Sequence, residues 1–246
     1  MAPRPKTDTL AERSAEEPSR RRQVRIEPEA RYREFVRAAV GLFSEVGFEA
    51  GTRELAQRLG VTQPLLYRYF PSKDDLIEAV YREIYVDRWK PSWRETILDA
   101  GRPLRERLQA FYEDYADTIF TPEWLRIYLF AGLRGVAINS RYVADVETSI
   151  LTPIALELRR EIGLATDAPI RPEELELVWT LHGGIFYYGV RTVVYGFECP
   201  IGRSQMIANA LDAFLEGAPS VVRRAAKAID PVSAPSSRRR SSGSLR

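Results

Sequence analysis

Apolar residues recur every three or four positions along most of the chain, which is the spacing of one face of a helix. The first such face predicts a helix over Pro28–Val46. Its apolar members are Phe35, Ala38, Ala39, Leu42 and Phe43. No segment alternates apolar and polar residues between hairpin turns, so we expect little or no sheet. The pattern therefore predicts an all-α protein.

Breaks in this pattern divide the chain into further helices. Short helices are predicted over 52–59, where Thr52 suits the N-cap, and over 63–70. A longer helix runs from Lys73, after a cap at Ser72, to about Trp89. The remaining predicted helices cover residues 103–120, 123–138, 141–163, 172–196 and 202–216. Residues 1–27 and 219–246 lack apolar periodicity and are predicted to be a disordered basic arm and a disordered basic tail.

The distribution of charge indicates which part of the chain could contact nucleic acid. Residues 81–218 carry 15 basic and 20 acidic groups, whereas residues 219–246 carry 7 basic groups and one acidic group. The long middle of the chain is therefore a poor partner for phosphates, and any contact with nucleic acid must come from the N-terminal part, helped by the basic ends.

The segment from Thr52 to Phe70 carries the strongest functional signal. Two short helices joined by a three-residue turn, Gly60-Val61-Thr62, place the second helix across the first. The side chains that we expect to remain exposed on the second helix are Gln63, Pro64, Leu65, Tyr67, Arg68 and Tyr69. Such side chains suit a DNA major groove, because glutamine can read adenine and arginine can reach guanine or phosphate. The alternative is an ordinary pair of short helices.

Several further elements keep the order and spacing of one known family, so residues 30–80 resemble the DNA-binding domain of TetR-family repressors. The matching elements are Ala38-Ala39-x-x-Leu42-Phe43, Gly47-Phe48, Thr52, Leu55-Ala56, Gly60-Val61-Thr62, Leu66-Tyr67-Arg68-Tyr69-Phe70 and Ser72-Lys73-x-x-Leu76. Two positions depart from the family pattern: Leu65 replaces a small polar residue and Arg68 replaces an aromatic one.

This resemblance implies a DNA-binding domain over 28–87, with its helix-turn-helix at 51–70, and a helical regulatory and dimerisation domain over 88–218. It implies a homodimer that binds an inverted-repeat operator in double-stranded DNA and, as a repressor, leaves it when a small-molecule effector binds. Helices 172–196 and 202–216 would form the dimer bundle. The implied base-reading residues are Arg53, Gln63 and Pro64, the implied phosphate contacts are Thr52, Tyr67 and Lys73, and Arg68 and Tyr69 would face the groove or the backbone.

The arginines Arg20, Arg21, Arg22 and Arg25 lie just before the first helix. They either enter the flanking minor groove or belong to a solvated tail, and the sequence leaves both readings open.

An effector site is expected among aromatic side chains of the C-terminal helices. Its candidate residues are Phe111, Tyr115, Trp124, Ile127, Tyr128, Ala131 and Arg134. The effector would be hydrophobic, or anionic if Arg134 pairs with it. The alternative is a plain core in which Arg134 pairs with a protein acid. His182, the only histidine, has no acidic neighbour one turn away, which favours a packed, hydrogen-bonded side chain over a metal ligand.

Other functional classes find little support. The chain has no glycine-rich phosphate loop and no GxSxG, so we expect neither an enzyme nor a cofactor. The single cysteine, Cys199, fits a cytoplasmic protein, and His182 and Arg191 within the most apolar stretch speak against a membrane span. A constitutive DNA-binding or interaction protein without a ligand pocket remains the alternative.

Overall fold

The computed structural model describes residues 27–134 and 137–227, without the side chains of residues 137, 138 and 227. Over these residues it is helical and contains no strand. The basic arm up to residue 26, with Arg20, Arg21, Arg22 and Arg25, and residues 228–246 of the tail lie outside the described residues. The helices are α1 (Pro28–Val46), α2 (Thr52–Arg58), α3 (Gln63–Tyr67), α4 (Lys73–Tyr81), α5 (Ser92–Leu98), α6 (Leu104–Ile119), α7 (Pro122–Leu133), α8 (Ala137–Val146), α9 (Thr152–Glu161), α10 (Pro172–Gly189) and α11 (Arg203–Lys227).

Three of these helices continue into a wider π-helical turn, and in the first two the turn brings consecutive residues into the core. The turns are Arg82–Val86 after α4, Glu147–Leu151 between α8 and α9, and Val190–Val194 after α10. In the first, the consecutive residues Ile84 and Tyr85 are both buried. In an α-helix of ordinary pitch the side chains of consecutive residues point about 100° apart, so one of these two would face away from the core. π turns often occur at functional sites.

Helix α5 was not predicted. It is only two turns long and its apolar face consists of Trp93 and Ile97, one turn apart, so the sequence offers little periodicity to recognise. Both side chains are buried, and the Trp93 indole nitrogen donates to a carboxylate oxygen of Asp114 at 2.8 Å. Packing against α6 therefore stabilises a helix too short to be stable alone.

The predicted start of the disordered tail after Ala218 was wrong. Helix α11 continues through residues 219–227 and contains Pro219, the first residue of the predicted tail. The apolar spacing of Phe214 continues one turn at a time to Ala218 and Val222, which are 3% and 1% exposed. Burial of this face holds the helix together beyond the proline.

Helix α7 supports the N-terminal helices. The Arg126 guanidinium donates to the backbone oxygens of Ser44 at 2.5 Å and Glu45 at 3.1 Å, which lie at the C-terminal end of α1. Carbonyl groups at this end of a helix have no partner within the helix. Gly47 then ends α1 with a φ of 77°, and the Phe130 ring lies 3.1 Å from where its Cβ would be. The N-terminal helices are thus seated directly on α7.

Buried ion pairs join the C-terminal helices. Arg107 on α6 donates to Glu157 on α9 at 2.8 Å, and Arg159 on α9 donates to Glu174 on α10 at 2.9 Å. Burial acts to raise the pKa of Glu174, but hydrogen bonds from Arg159 and from the Arg171 backbone outweigh it, so its pKa is lowered. These pairs fix the relative positions of α6, α9 and α10.

Candidate functional site

Helices α2 and α3 form the predicted helix-turn-helix. Gly60 adopts a φ of 63° in the turn, and the backbone N–H of Val61 donates to the Ala56 oxygen at 3.0 Å. Leu55 and Leu66, one from each helix, are fully buried against the core of α1. The two helices therefore form a rigid unit that shows one side of α3 to solvent.

Thr52 connects the two helices through its side chain. Its hydroxyl accepts a hydrogen bond from the Gln63 amide nitrogen at 2.9 Å and shares another with the Tyr67 hydroxyl at 3.1 Å. The predicted N-cap role of Thr52 was wrong, because Gly51 occupies that position and Thr52 already lies in the first turn, facing α3. Three of the proposed DNA-contacting side chains are thereby held together before any DNA is present.

The structure corrects which side chains of this segment are exposed. Arg53, Pro64 and Arg68 are exposed and Tyr67 is 41% exposed, whereas Gln63 is half-buried. Leu65 and Tyr69, which the sequence predicted to be exposed, are half-buried like Gln63 because both pack against the core; the Tyr69 ring meets the Phe35 ring edge-on at 5.1 Å between centroids.

Lys73 lies next to this surface at the start of α4. Its ammonium group donates to the Phe48 backbone oxygen at 2.6 Å, which ties α4 to the loop after α1. An ammonium group carries three N–H bonds, so this contact fixes the charge in place and leaves donors for a phosphate.

A second candidate site is a cavity of about 180 Å³ among α6, α7, α8 and α10. We call it the aromatic cavity, because six aromatic side chains form most of its wall. They are Tyr115, Trp124, Tyr128, Tyr142, Trp179 and Phe186. The Trp124 and Tyr128 rings stack with 5.3 Å between their centroids.

Three of the seven predicted effector residues line this cavity: Tyr115, Trp124 and Tyr128. The others lie elsewhere. Phe111, Ile127 and Ala131 are buried in the core, whereas Arg134 is exposed and forms an ion pair with Glu49. The sequence reasoning missed Tyr142, Trp179 and Phe186. A signal existed for the last two, since they lie seven residues apart on α10, two turns along the face that also carries His182.

His182 forms part of the cavity wall. It is 6% exposed, and burial lowers its pKa to about 4, so the ring is uncharged at neutral pH. Its Nε2 lies 3.4 Å from the Tyr115 hydroxyl, which in turn lies 2.8 Å from the Tyr142 hydroxyl. Among the described residues, its Nδ1 has no hydrogen-bond partner. The same part of the chain contains no group of three potential metal ligands.

An open apolar groove of about 530 Å³ runs between α10 and α11 on the outside of the molecule. Small residues line it, among them Gly184, Ala210, Ala213 and Gly217. Such residues allow another helix to approach closely. Of the helices in residues 27–134 and 137–227, none combines the length and the hydropathy that crossing a membrane requires.

Comparison with known proteins identifies a family match in the N-terminal part of the chain. Residues 35–80 match the family of bacterial regulatory proteins called the tetR family. The chain is 40% identical over 84 residues to the tetracycline repressor protein class A from transposon 1721 of Escherichia coli, covering 31% of this chain and 39% of that protein. It is 34% identical over 97 residues to the transcriptional activator FasR of Mycolicibacterium smegmatis, covering 38% and 44%. The matches thus span less than half of these relatives.

Solved structures extend the likeness in fold to most of the chain. A putative transcriptional regulator from Pseudomonas aeruginosa PAO1 has a TM-score of 0.64 at 20% identity, covering 82% of this chain and 96% of that one. Mycobacterium smegmatis AmtR has a TM-score of 0.54 at 23% identity, covering 82% and 98%. At these identities the comparison shows a common fold, with the N-terminal domain followed by a helical C-terminal domain.

Proposed function

We propose that this chain, which carries the DNA-binding domain of the tetR family and has the fold of its regulators, is a transcriptional regulator that binds double-stranded DNA as a homodimer. The observation that carries the proposal is the hydrogen-bonded arrangement of Thr52, Gln63 and Tyr67, which presents the solvent side of α3 in a fixed orientation. Fixed donors and acceptors lose less entropy when they meet a base edge.

Each side chain of this surface has a role in the proposal. Gln63 and Arg53 read base edges, and Pro64 contacts a thymine methyl group. Thr52, Tyr67 and Lys73 contact phosphates, which sets the register of α3 in the major groove. Arg68 is exposed beside them and faces the groove or the backbone. Leu65 and Tyr69 contribute mainly by packing α3 against the core.

A second copy of the chain supplies the other half of the DNA contact. The apolar groove between α10 and α11 supports pairing through these helices, because a second copy of the same small-residue face can cover it. A symmetric dimer would present two α3 helices about 34–36 Å apart, one for each successive major groove of an inverted repeat.

The aromatic cavity supports regulation by a small molecule over constitutive binding. A protein without an effector would be expected to fill its C-terminal core, whereas this one leaves a partly open space of about 180 Å³ among α6, α7, α8 and α10. We propose that effector binding there releases the dimer from its operator, as in a repressor. This requires an effector with a higher affinity for the released state.

The test uses full-length protein and a library of random double-stranded DNA, from which bound sequences are selected and read. We expect an inverted repeat to be enriched. On that sequence, Gln63→Ala and Arg53→Ala should each weaken binding by about 1–3 kcal/mol, measured by fluorescence anisotropy at one stated salt concentration.

Matched controls come from exposed positions far along the chain. Gln205→Ala on α11 and Arg94→Ala on α5 remove the same side-chain types from exposed positions outside the helix-turn-helix, and should leave DNA affinity unchanged. Circular dichroism would verify that all four variants fold. The proposal fails if no sequence is enriched, or if the Gln63 and Arg53 variants bind the selected DNA as tightly as the wild type.

A further inference from the structure

We infer that the aromatic cavity binds a compact, uncharged molecule with a single aromatic ring and one hydroxyl group, rather than an anion. The inference concerns binding to the cavity; that this molecule acts as the effector rests on the proposed function. Size, charge and hydrogen bonding each point to this class of ligand.

Size limits the ligand to about one ring. The cavity measures about 180 Å³, and an apolar cavity of about 150 Å³ is known to hold benzene. The remaining space suits one or two small substituents. The shape of the wall agrees, because Trp124, Tyr128 and Phe186 meet one another face to face or edge to face, arrangements that a further ring can join.

Charge excludes an anion. Among the described side chains that line the cavity, none is an arginine, lysine, aspartate or glutamate, and His182 is uncharged at neutral pH. Arg134, the cation that the sequence suggested for this purpose, pairs with Glu49 outside the cavity. A carboxylate in the cavity would therefore lose its hydration without gaining a counter-charge, which is strongly unfavourable.

Hydrogen bonding calls for a hydroxyl group. His182, Tyr115 and Tyr142 form a chain in the wall, and a neutral imidazole ring exists in two tautomers. If Nε2 carries the proton, it donates to Tyr115, Tyr115 donates to Tyr142, and the Tyr142 proton is left for the ligand. If Nδ1 carries the proton, Nε2 accepts from the Tyr115 hydroxyl and the Tyr115 oxygen accepts from the Tyr142 hydroxyl. The Tyr142 oxygen can then accept a hydrogen bond from the ligand. A hydroxyl group satisfies both cases, because it donates and accepts.

The test measures binding to full-length protein without DNA. The probes are phenol, toluene and benzoate, which share one ring and differ in the hydroxyl group and the charge. Binding is followed by the fluorescence of the cavity tryptophans Trp124 and Trp179 and by the shift in Tm. We expect phenol to bind at least about tenfold more tightly than benzoate at pH 7.5, a difference of about 1.4 kcal/mol.

Two variants locate the site. Tyr142→Phe keeps the ring and removes the hydroxyl, so it should weaken phenol by about tenfold and leave toluene unchanged. Tyr195→Phe, at an exposed position, is the matched control. Gly183→Leu places a bulky side chain at the exposed edge of the cavity, where no atom lies within 4 Å of the Gly183 Cβ position, and should weaken binding of both compounds.

The outcomes separate this inference from the proposed function. Equal or tighter binding of benzoate, binding of none of the three probes, or phenol affinity that survives both Tyr142→Phe and Gly183→Leu would overturn the inference while leaving DNA binding unaffected. Selective phenol binding by a protein that enriches no DNA sequence would support the inference and refute the regulator.

Discussion

The pKa of His182 gives a quantitative test of how far water is excluded from the wall of the aromatic cavity. His182 is the only histidine of the chain, so its signal is unambiguous. The groups packed against it are the rings of Tyr112, Tyr115 and Trp179, and the structure places no charged group in contact with it among the described residues. Burial therefore sets its pKa, which falls from 6.5 to about 4.

The direction of that pKa shift determines whether the free energy of unfolding rises or falls with pH. Between pH 6.5 and 4 the unfolded chain binds a proton at His182 and the folded chain does not, so protonation favours unfolding. The contribution of His182 is fully present above pH 6.5 and is lost as the pH falls toward 4. At 1.36 kcal/mol per pKa unit the total loss is about 3 kcal/mol, of which about 2 kcal/mol has gone by pH 5.

The assay is urea unfolding at one protein concentration and several pH values between 7.5 and 4.5, compared between wild type and His182→Gln. The variant cannot titrate at this position, so its stability should change less over this range. Carboxyl groups with lowered pKa values, such as Glu174 and Asp114, lose their contribution only below their usual range. NMR of the histidine ring protons gives the pKa directly. A titration near pH 6.5, or parallel pH profiles of the two proteins, would refute the reasoning.

Two further changes test the remaining contacts. Thr52→Val keeps the shape of the side chain and removes the oxygen that holds Gln63 and Tyr67. Affinity for the selected DNA should therefore fall by about 1–2 kcal/mol in an anisotropy titration, while the Tm stays unchanged. Unchanged affinity would show that Thr52 does not position these side chains. Glu174→Ala leaves the buried Arg159 charge without its partner and should lower the free energy of unfolding by about 3–5 kcal/mol in urea. A loss below about 1 kcal/mol would show that Arg159 finds another partner.

The sequence predicted the helix-turn-helix well because its signals are local. Gly47, Gly60 and Ser72 mark ends and turns within a few residues of the helices that they separate, and the structure places all three as expected. The function of the Thr52 side chain was not predictable in the same way. Its hydroxyl could either cap its own helix or form hydrogen bonds to side chains of α3. Which of the two occurs depends on how the two helices cross, and the sequence does not show that.

The cavity was harder to predict because its wall comes from four helices. Aromatic residues on α6 and α7 include three that line the cavity, but the same periodicity also marked Phe111 and Ile127, which are ordinary core residues. Periodicity shows which face of a helix is buried and does not show where the packing between faces leaves a space. Tyr142 was missed for that reason, since its role depends on the position of α8 against α6.

Helix α7 and the turn after α4 both lead from the cavity wall to the helices of the N-terminal domain. Trp124 and Tyr128 line the cavity, and Arg126, between them in sequence, holds the end of α1. Tyr142 contacts the ring of Tyr85, in the π turn that follows α4, at 5.0 Å between centroids. Because both routes begin at rings in the wall of one cavity, the proposed ligand would act on α1 and α4 together by displacing those rings, and the resulting shift is limited by the difference in its affinity for the two states.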